Sequence, residues 1–325
     1  MSEGATSTEG INELTSKEII EAMSHEDKEA LKGWYWYDWA NQSYALTVMT
    51  VIVPALLASL YNTATGTQGG AGFFAFVYGI AMAIVALTVP AMGVIADRMP
   101  IKKNMLYWYT VVGIIFCAAM GAAPYFGSKA HLVLAFMFVV GSIGFSGGNT
   151  IYYAFMPYLA PKKCMDHVSS WGYAHGFLGG SILLLAHLII LLVSPWDNNF
   201  KFAVIFTTSA LWWWGWGALM FIKTPEPPIL DEMEYQGFWE STKFAYRGVW
   251  KTLTSIRAEF PVLFLFIIAY LLFYDGVNTI NGMAAAFGES VLRINPMMTV
   301  ALILIVNFVA VPMSIVFAKI AENKG

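Results

Sequence analysis

Eight apolar runs constrain the fold of this chain more than any other feature of its sequence, because each is long enough to cross a bilayer as a helix. Charged residues make up only 12% of the chain, whereas soluble domains carry about a quarter. The sequence therefore predicts an all-α polytopic membrane protein with eight transmembrane helices. The runs cover residues 34–60, 72–96, 105–125, 131–159, 168–193, 200–222, 260–291 and 296–320.

The spacing of these runs divides the chain into four regions. Short loops join the first six runs, and a longer polar connection precedes the last two. The prolines of Thr224-Pro225-Glu226-Pro227-Pro228 prevent the sixth helix from continuing into that connection. Ahead of the first run, Thr15-Ser16-Lys17-Glu18 fits a capping box that would begin a short amphipathic helix. We expect an N-terminal segment (1–33), a six-helix unit (34–222), a linker (223–259) and two further membrane helices (260–325).

Lysine and arginine residues predict the orientation in the membrane. Cytoplasmic loops of membrane proteins are rich in these two residue types, so the N-terminus and the linker are expected in the cytoplasm, with the plasma membrane as the location if the source is prokaryotic. The basic residues on the predicted cytoplasmic side are Arg98, Lys102, Lys103, Lys162, Lys163, Lys223, Lys243, Arg247, Lys251 and Arg257, and those on the opposite side are Lys129, Lys201 and Arg293.

An amphipathic helix is predicted within the linker, over residues 238–257. Its apolar and basic residues occupy different faces at helical spacing. Two interpretations remain open: the helix binds membrane lipids along the inner surface, or it packs beneath the transmembrane body. The apolar face contains Tyr246, Val249, Trp250, Leu253 and Ile256, and the basic residues are Lys243, Arg247 and Lys251.

A repeated polar motif relates the two ends of the membrane region. Tyr37-Asp38-Trp39-Ala40-Asn41 in the first run has a counterpart in Tyr274-Asp275-Gly276-Val277-Asn278 in the seventh. The second run ends at Asp97 and the eighth near Glu322, so helices 1–2 and 7–8 correspond in order and orientation. Such a parallel repeat is typical of transporters. A second six-helix unit would need four more helices, which predicts a C-terminally incomplete twelve-helix protein.

The same residues resemble a known family. Gly93-x-x-x-Asp97-Arg98, followed by Lys102 and Lys103, resembles the cytoplasmic signature of the major facilitator superfamily, although Pro100 stands where that signature has glycine. The two Tyr-Asp-x-x-Asn motifs are similar to those of the vacuole effluxers related to the autophagy-linked fungal amino-acid exporter. The resemblance implies a major-facilitator-type helix bundle and the efflux of neutral amino acids.

Asp38 and Asp275 are the first candidates for a functional site. A carboxylate in a membrane helix is costly, so it usually faces protein or water and serves function, and both residues could carry a proton. Alternatively, each accepts a hydrogen bond from a neighbour and never titrates. The candidates for solute or proton binding are Tyr37, Asp38, Asn41, Asn149, His175, Asp275, Asn278, Thr279 and Asn281, with Asn149 and His175 equally compatible with helix packing.

Asp97 is predicted to belong to a conformational latch. It ends a helix, where the helix dipole disfavours a negative charge, so it needs a partner: Arg98, Lys102, or the N-terminus of a helix from the second unit. The alternative is that the basic residues only set topology. The predicted latch residues are Gly93, Asp97, Arg98, Lys102, Lys103 and Glu322.

Together these patterns favour a secondary transporter that moves a small polar solute by alternating access, coupled to protons. The alternative is a non-transporting scaffold or receptor on a transporter fold, in which Asp38 and Asp275 would be sealed in dry packing without a cavity. No enzyme motif, phosphate loop or continuous polar stripe of a channel appears in the sequence. Cys117 and Cys164 are expected as free thiols, and no metal, cofactor or nucleic acid is predicted. The sequence leaves the oligomeric state open.

Overall fold

A computed structural model describes residues 15–229 and 238–324, and these residues form helices joined by short connections. Helices α1 to α8 precede the linker helix α9, and α10 and α11 follow it. A π-helical segment connects α2 to α3. The helices are α1 (Ser16–Ala22), α2 (His25–Gln42), the π-segment (Ser43–Ile52), α3 (Val53–Thr65), α4 (Gly70–Arg98), α5 (Lys102–Met120), α6 (Ala130–Tyr153), α7 (Met165–Val193), α8 (Asn198–Lys223), α9 (Phe238–Glu259), α10 (Pro261–Ser290) and α11 (Pro296–Lys324).

Seven helical spans in the described residues are long and apolar enough to cross a membrane. This finding confirms the predicted all-α polytopic membrane class. Helix α8, which covers the sixth predicted run, is not among these seven spans. It has 26 residues, but it contains Trp212, Trp213, Trp214 and Trp216, whose amphipathic rings contribute little to hydropathy. The count of eight membrane helices and the division into repeat units stay predictions.

The first membrane segment, formed by α2, the π-segment and α3, lies at the centre of the bundle. It contacts α6, α7, α8 and α10, and its large side chains Trp34, Tyr37 and Tyr44 are fully buried. Its tryptophans Trp36 and Trp39 stack on Trp216 and Trp212 of α8, with ring centroids 4.6 and 5.9 Å apart. The tryptophan run of α8 is therefore a packing cluster against α2.

Small residues let α7 approach the first segment closely. A Cβ atom built on Gly172 would lie 2.7 Å from the Trp34 ring, and one built on Gly179 would lie 2.6 Å from the Trp39 ring. Between them, Gly176 faces Asp38. Helices α5 and α6 meet in the same way at Gly113 and Gly144. These contacts agree with the packing role expected of small residues in membrane helices.

The π-segment has a local cause. Proline at position 54 has no N–H group to donate within the helix. The segment just before it contains Thr47, Val48, Thr50, Val51 and Ile52, β-branched residues that fit a regular α-helix less well. The Thr50 hydroxyl donates to the carbonyl of Ala45, five residues earlier, at 2.8 Å. Long π-helical segments are rare and concentrate at functional sites.

The N-terminal segment is fixed to one end of the bundle. The predicted capping box is present, because the Thr15 hydroxyl accepts from the Glu18 amide while the Glu18 carboxylate accepts from the Thr15 amide. The hydrogen bonds that the Thr15 amide and hydroxyl donate to the Glu18 carboxylate hold its pKa below the usual value. Further along, Lys223 donates to Glu29, and the Thr224 hydroxyl donates to the carbonyl of Ala30 at 2.8 Å. Helices α2 and α8 are thus joined where the linker begins.

Replacing Gly144 by alanine is expected to destabilise the bundle. The new Cβ atom would lie 2.5 Å from the amide nitrogen of Gly113 on α5, so the backbones must move apart. Overpacking of this kind costs about 1–3 kcal/mol. Gly79→Ala in α4 is the matched control, because no atom lies within 4 Å of its Cβ position. Thermal unfolding in detergent should show a lower midpoint for G144A only, and equal midpoints would contradict the close contact.

Candidate functional site

A cavity of about 680 Å³ lies between the π-segment, α7, α10 and α11. Its polar side chains are Gln42, Thr50, Asn281, Thr299 and Asn307, and none of the described residues that line it carries a charge. The rest of the wall is apolar. The apolar lining residues are Ala45, Leu46, Phe177, Ile280, Ala284, Phe287, Gly288, Leu292, Ile294, Leu302, Ile303, Val306 and Ala310.

The polar groups of this cavity are only partly satisfied by the protein. The Asn307 amide nitrogen donates to the carbonyl of Ile303 at 2.8 Å, and the Thr50 hydroxyl donates within the π-segment. Both residues therefore retain oxygen lone pairs for a further donor. No hydrogen bond is found for the amides of Gln42 and Asn281 among the described residues. The cavity can thus accept hydrogen bonds from a bound solute and donate hydrogen bonds to it.

Asp38 lies one helical turn before Gln42, at the close contact between α2 and α7. Its exposed fraction is 1%. A Cβ atom on Gly176 would lie 2.8 Å from Asp38 Oδ2 and 3.0 Å from Gln42 Cγ, so the glycine makes room for both side chains. Oδ1 has no hydrogen-bond partner, and Asp38 forms no ion pair within the described part of the chain. A buried carboxyl group without a countercharge is costly, and in membrane segments it usually marks function.

Tyr37 and Asn41 flank Asp38 but contact other helices. The Tyr37 hydroxyl is 2.6 Å from the Thr110 hydroxyl on α5, and its ring stacks on Tyr152. The Asn41 amide nitrogen donates to Asn149 Oδ1 on α6 at 2.7 Å. Neither residue lines the cavity, although Asn41 Oδ1 is buried without a partner.

His175 lies outside the cavity as well. Its Nδ1 is 2.7 Å from the carbonyl oxygen of Trp171, and its ring stacks on Tyr35 at 5.1 Å. This placement fits the packing alternative for His175. In the second motif, Asp275, Asn278 and Thr279 are exposed on α10, and Asn281 alone of that predicted group lines the cavity.

Four of the six predicted latch residues, Asp97, Arg98, Lys102 and Lys103, lie at the turn between α4 and α5. Asp97 forms an ion pair with Lys102 at 2.8 Å, so Lys102 is its partner among the three that the sequence allowed. The Lys102 ammonium is buried and lies 4.9 Å from the centre of the Tyr158 ring. The Lys103 amide donates to Glu226 of the linker at 2.8 Å. Gly93 faces open space, and the side chain of Glu322 is outside the described residues.

Four polar residues of the cavity were missed by sequence reasoning: Gln42, Thr50, Thr299 and Asn307. Gln42 and Asn307 carried a usable signal, because each places an amide in an apolar run and Gln42 follows Asp38 at i+4 spacing. The two threonines carried none, because threonine hydroxyls are readily satisfied within their own helix. Cys117 and Cys164 are both buried, and neither forms a disulfide within the described part of the chain, as the sequence predicts.

The membrane-capable helices, the cavity and the buried polar motif are the features of a polytopic helix-bundle membrane protein. The model of the family described as "Vacuole effluxer Atg22 like" matches residues 65–324. The chain belongs to this family, which confirms the resemblance seen in the motifs. No solved structure matches the chain.

Two relatives extend this comparison. The chain is 29% identical over 301 residues to an "Uncharacterized MFS-type transporter YxiO" of Bacillus subtilis, covering 90% of this chain and 67% of the relative. It is 20% identical over 328 residues to "Autophagy-related protein 22" of Kluyveromyces lactis, covering 87% of this chain and 65% of the relative. The matches thus span about two thirds of each relative's length.

Breaking the Asp97–Lys102 pair from the acidic side is expected to destabilise the protein. Asp97→Asn leaves the buried Lys102 ammonium without its carboxylate, at a cost of about 1–3 kcal/mol. The double variant D97N/K102M replaces that ammonium by an apolar side chain of similar length and should recover most of the loss. Thermal unfolding midpoints in detergent provide the measurement, and a double variant as unstable as D97N would contradict the pairing.

Proposed function

We propose that this protein is a secondary transporter that moves a small neutral polar solute across the membrane by alternating access. The observation that carries the proposal is the uncharged cavity between the first membrane segment and the last two helices. A solute site between the early and late helices of the chain is what an alternating-access mechanism needs, since movement of one group against the other changes its exposure.

The lining favours a neutral amino acid with an apolar side chain. A zwitterion presents an ammonium donor and a carboxylate acceptor. The side-chain oxygens of Thr50 and Asn307 can accept hydrogen bonds from the ammonium group. The amide N–H groups of Gln42 and Asn281 can donate to the carboxylate. The apolar wall, with Phe177 and Phe287, suits the side chain. The family name and the motif resemblance support efflux as the direction.

Asp38 is the proposed proton carrier. It is adjacent to Gln42 through their shared contact with Gly176, so solute binding at Gln42 can change the surroundings of the carboxyl group. Asp275 is the proposed counterpart in the second motif. The Asp97–Lys102 pair is proposed to hold the linker side of the bundle in one conformation.

A scaffold or receptor is the second candidate. It is favoured by the nearly complete burial of Asp38, which sealed packing would also produce. The cavity beside Asp38 supports transport instead, because dry packing of the two parts would leave none.

Proteoliposome uptake of a neutral amino-acid mixture, with and without an imposed pH gradient, tests the proposal on the full-length protein. We expect uptake that increases with the gradient. Gln42→Leu and Asn281→Leu should each raise the half-saturation concentration by about 2- to 10-fold, the value of one or two lost hydrogen bonds.

Asn199→Leu is the matched control for these two variants. Asn199 is an exposed amide at the start of α8, a helix that contributes no residue to the lining of this cavity, so N199L should transport like the wild type. Saturable uptake that is unaffected by Q42L and N281L would show that the solute does not bind in this cavity. If no amino acid is taken up, neutral amino acids are excluded as the solute. If no neutral solute of any kind is taken up, the scaffold or receptor function is favoured over transport.

A further inference from the structure

Helix α9 has one face that is buried against the described residues and another that is largely exposed. Ser241 and Ala245 are buried against the transmembrane body, with Gly248 half-buried on the same side. About 180° around the helix are Trp239 and Trp250, whose exposed fractions are 73% and 71%. The two interpretations of this helix are therefore compatible, because packing buries one face while the tryptophan side chains of the opposite face stay largely exposed.

The exposed face combines aromatic and basic side chains. Trp239, Lys243, Tyr246 and Trp250 follow one another at i, i+4, i+7 and i+11 spacing, which places them in one stripe. Further basic residues beside the stripe are Arg247, Lys251 and Arg257, and the acidic residues of the helix are Glu240, which pairs with Lys243, and Glu259. The stripe and its borders thus carry a positive excess.

Contacts near both ends join α9 to two membrane-capable helices. Near its start, Arg98 at the end of α4 lies over the Phe244 ring, 5.3 Å from its centre. Near its end, Arg257 lies 6.0 Å from the centre of the Phe264 ring in the first turn of α10. Helices α4 and α10 both have membrane-spanning composition. A helix attached to the ends of two such helices runs along the membrane surface.

From these observations we infer that the exposed face of α9 is a binding surface for anionic phospholipid headgroups. Tryptophan and tyrosine rings favour the interfacial region of a bilayer, and lysine and arginine near the surface attract anionic lipids. The acidic side chains are too few to offset the four basic ones. This surface is separate from the solute cavity, and its lipid binding does not depend on whether the protein transports.

Quenching of tryptophan fluorescence by brominated lipids tests the inference on the full-length protein in neutral detergent. We expect brominated phosphatidylglycerol to quench at about tenfold lower lipid fraction than brominated phosphatidylcholine. The component quenched at low lipid fraction should be lost in W239F/W250F, since both tryptophans lie in the exposed stripe.

Charge variants with a matched control decide the role of the basic residues. K243Q/R247Q/K251Q should abolish the tenfold difference between the two lipids. K17Q/K28Q/K162Q removes the same charge from the predicted same side of the protein, outside α9, and should retain the difference. Equal quenching of the wild type by the two lipids would overturn the inference. The inference would also be overturned if K17Q/K28Q/K162Q lost the preference for phosphatidylglycerol as completely as K243Q/R247Q/K251Q.

Discussion

The close contact between α2 and α7 determines much of what surrounds it. Three glycines of α7, Gly172, Gly176 and Gly179, lie against Trp34, Asp38 and Trp39. Any larger residue at these positions would separate the helices, since small residues are what allow backbones to approach in a membrane. The contact buries the Asp38 carboxyl group and brings it beside Gln42. The candidate proton carrier and the solute cavity are therefore neighbours because of helix packing.

The π-segment forms one wall of the cavity. Because Pro54 lacks an N–H group, the regular hydrogen-bond pattern is interrupted ahead of it, and Ala45, Leu46 and Thr50 line the cavity from this altered segment. The opposite wall comes from α10 and α11, which contribute Asn281 and Asn307. The residues that line one site thus come from chain regions far apart in sequence.

Composition and hydrophobic runs were sufficient to predict the membrane class, and the motifs were sufficient for the family. The individual site residues were harder to predict. Asp38 is buried as membrane energetics require, yet its neighbour Asn41 bonds to Asn149. The repeated sequence motif gives Asp275 the same helical position as Asp38. The motif does not say which helix packs against each of the two residues. Gln42 has a sequence signal in its i+4 spacing from Asp38, but its place in the cavity depends on α7, α10 and α11 meeting the π-segment.

The central claim is that Asp38 couples protons to solute movement, and a comparison of exchange with accumulation tests it most directly. Asp38→Asn proteoliposomes should exchange solute that is present on both sides, while they lose accumulation driven by a pH gradient. Asp197→Asn is the control, because asparagine can replace the aspartate that caps α8. Wild-type accumulation by D38N under the same gradient would contradict the account.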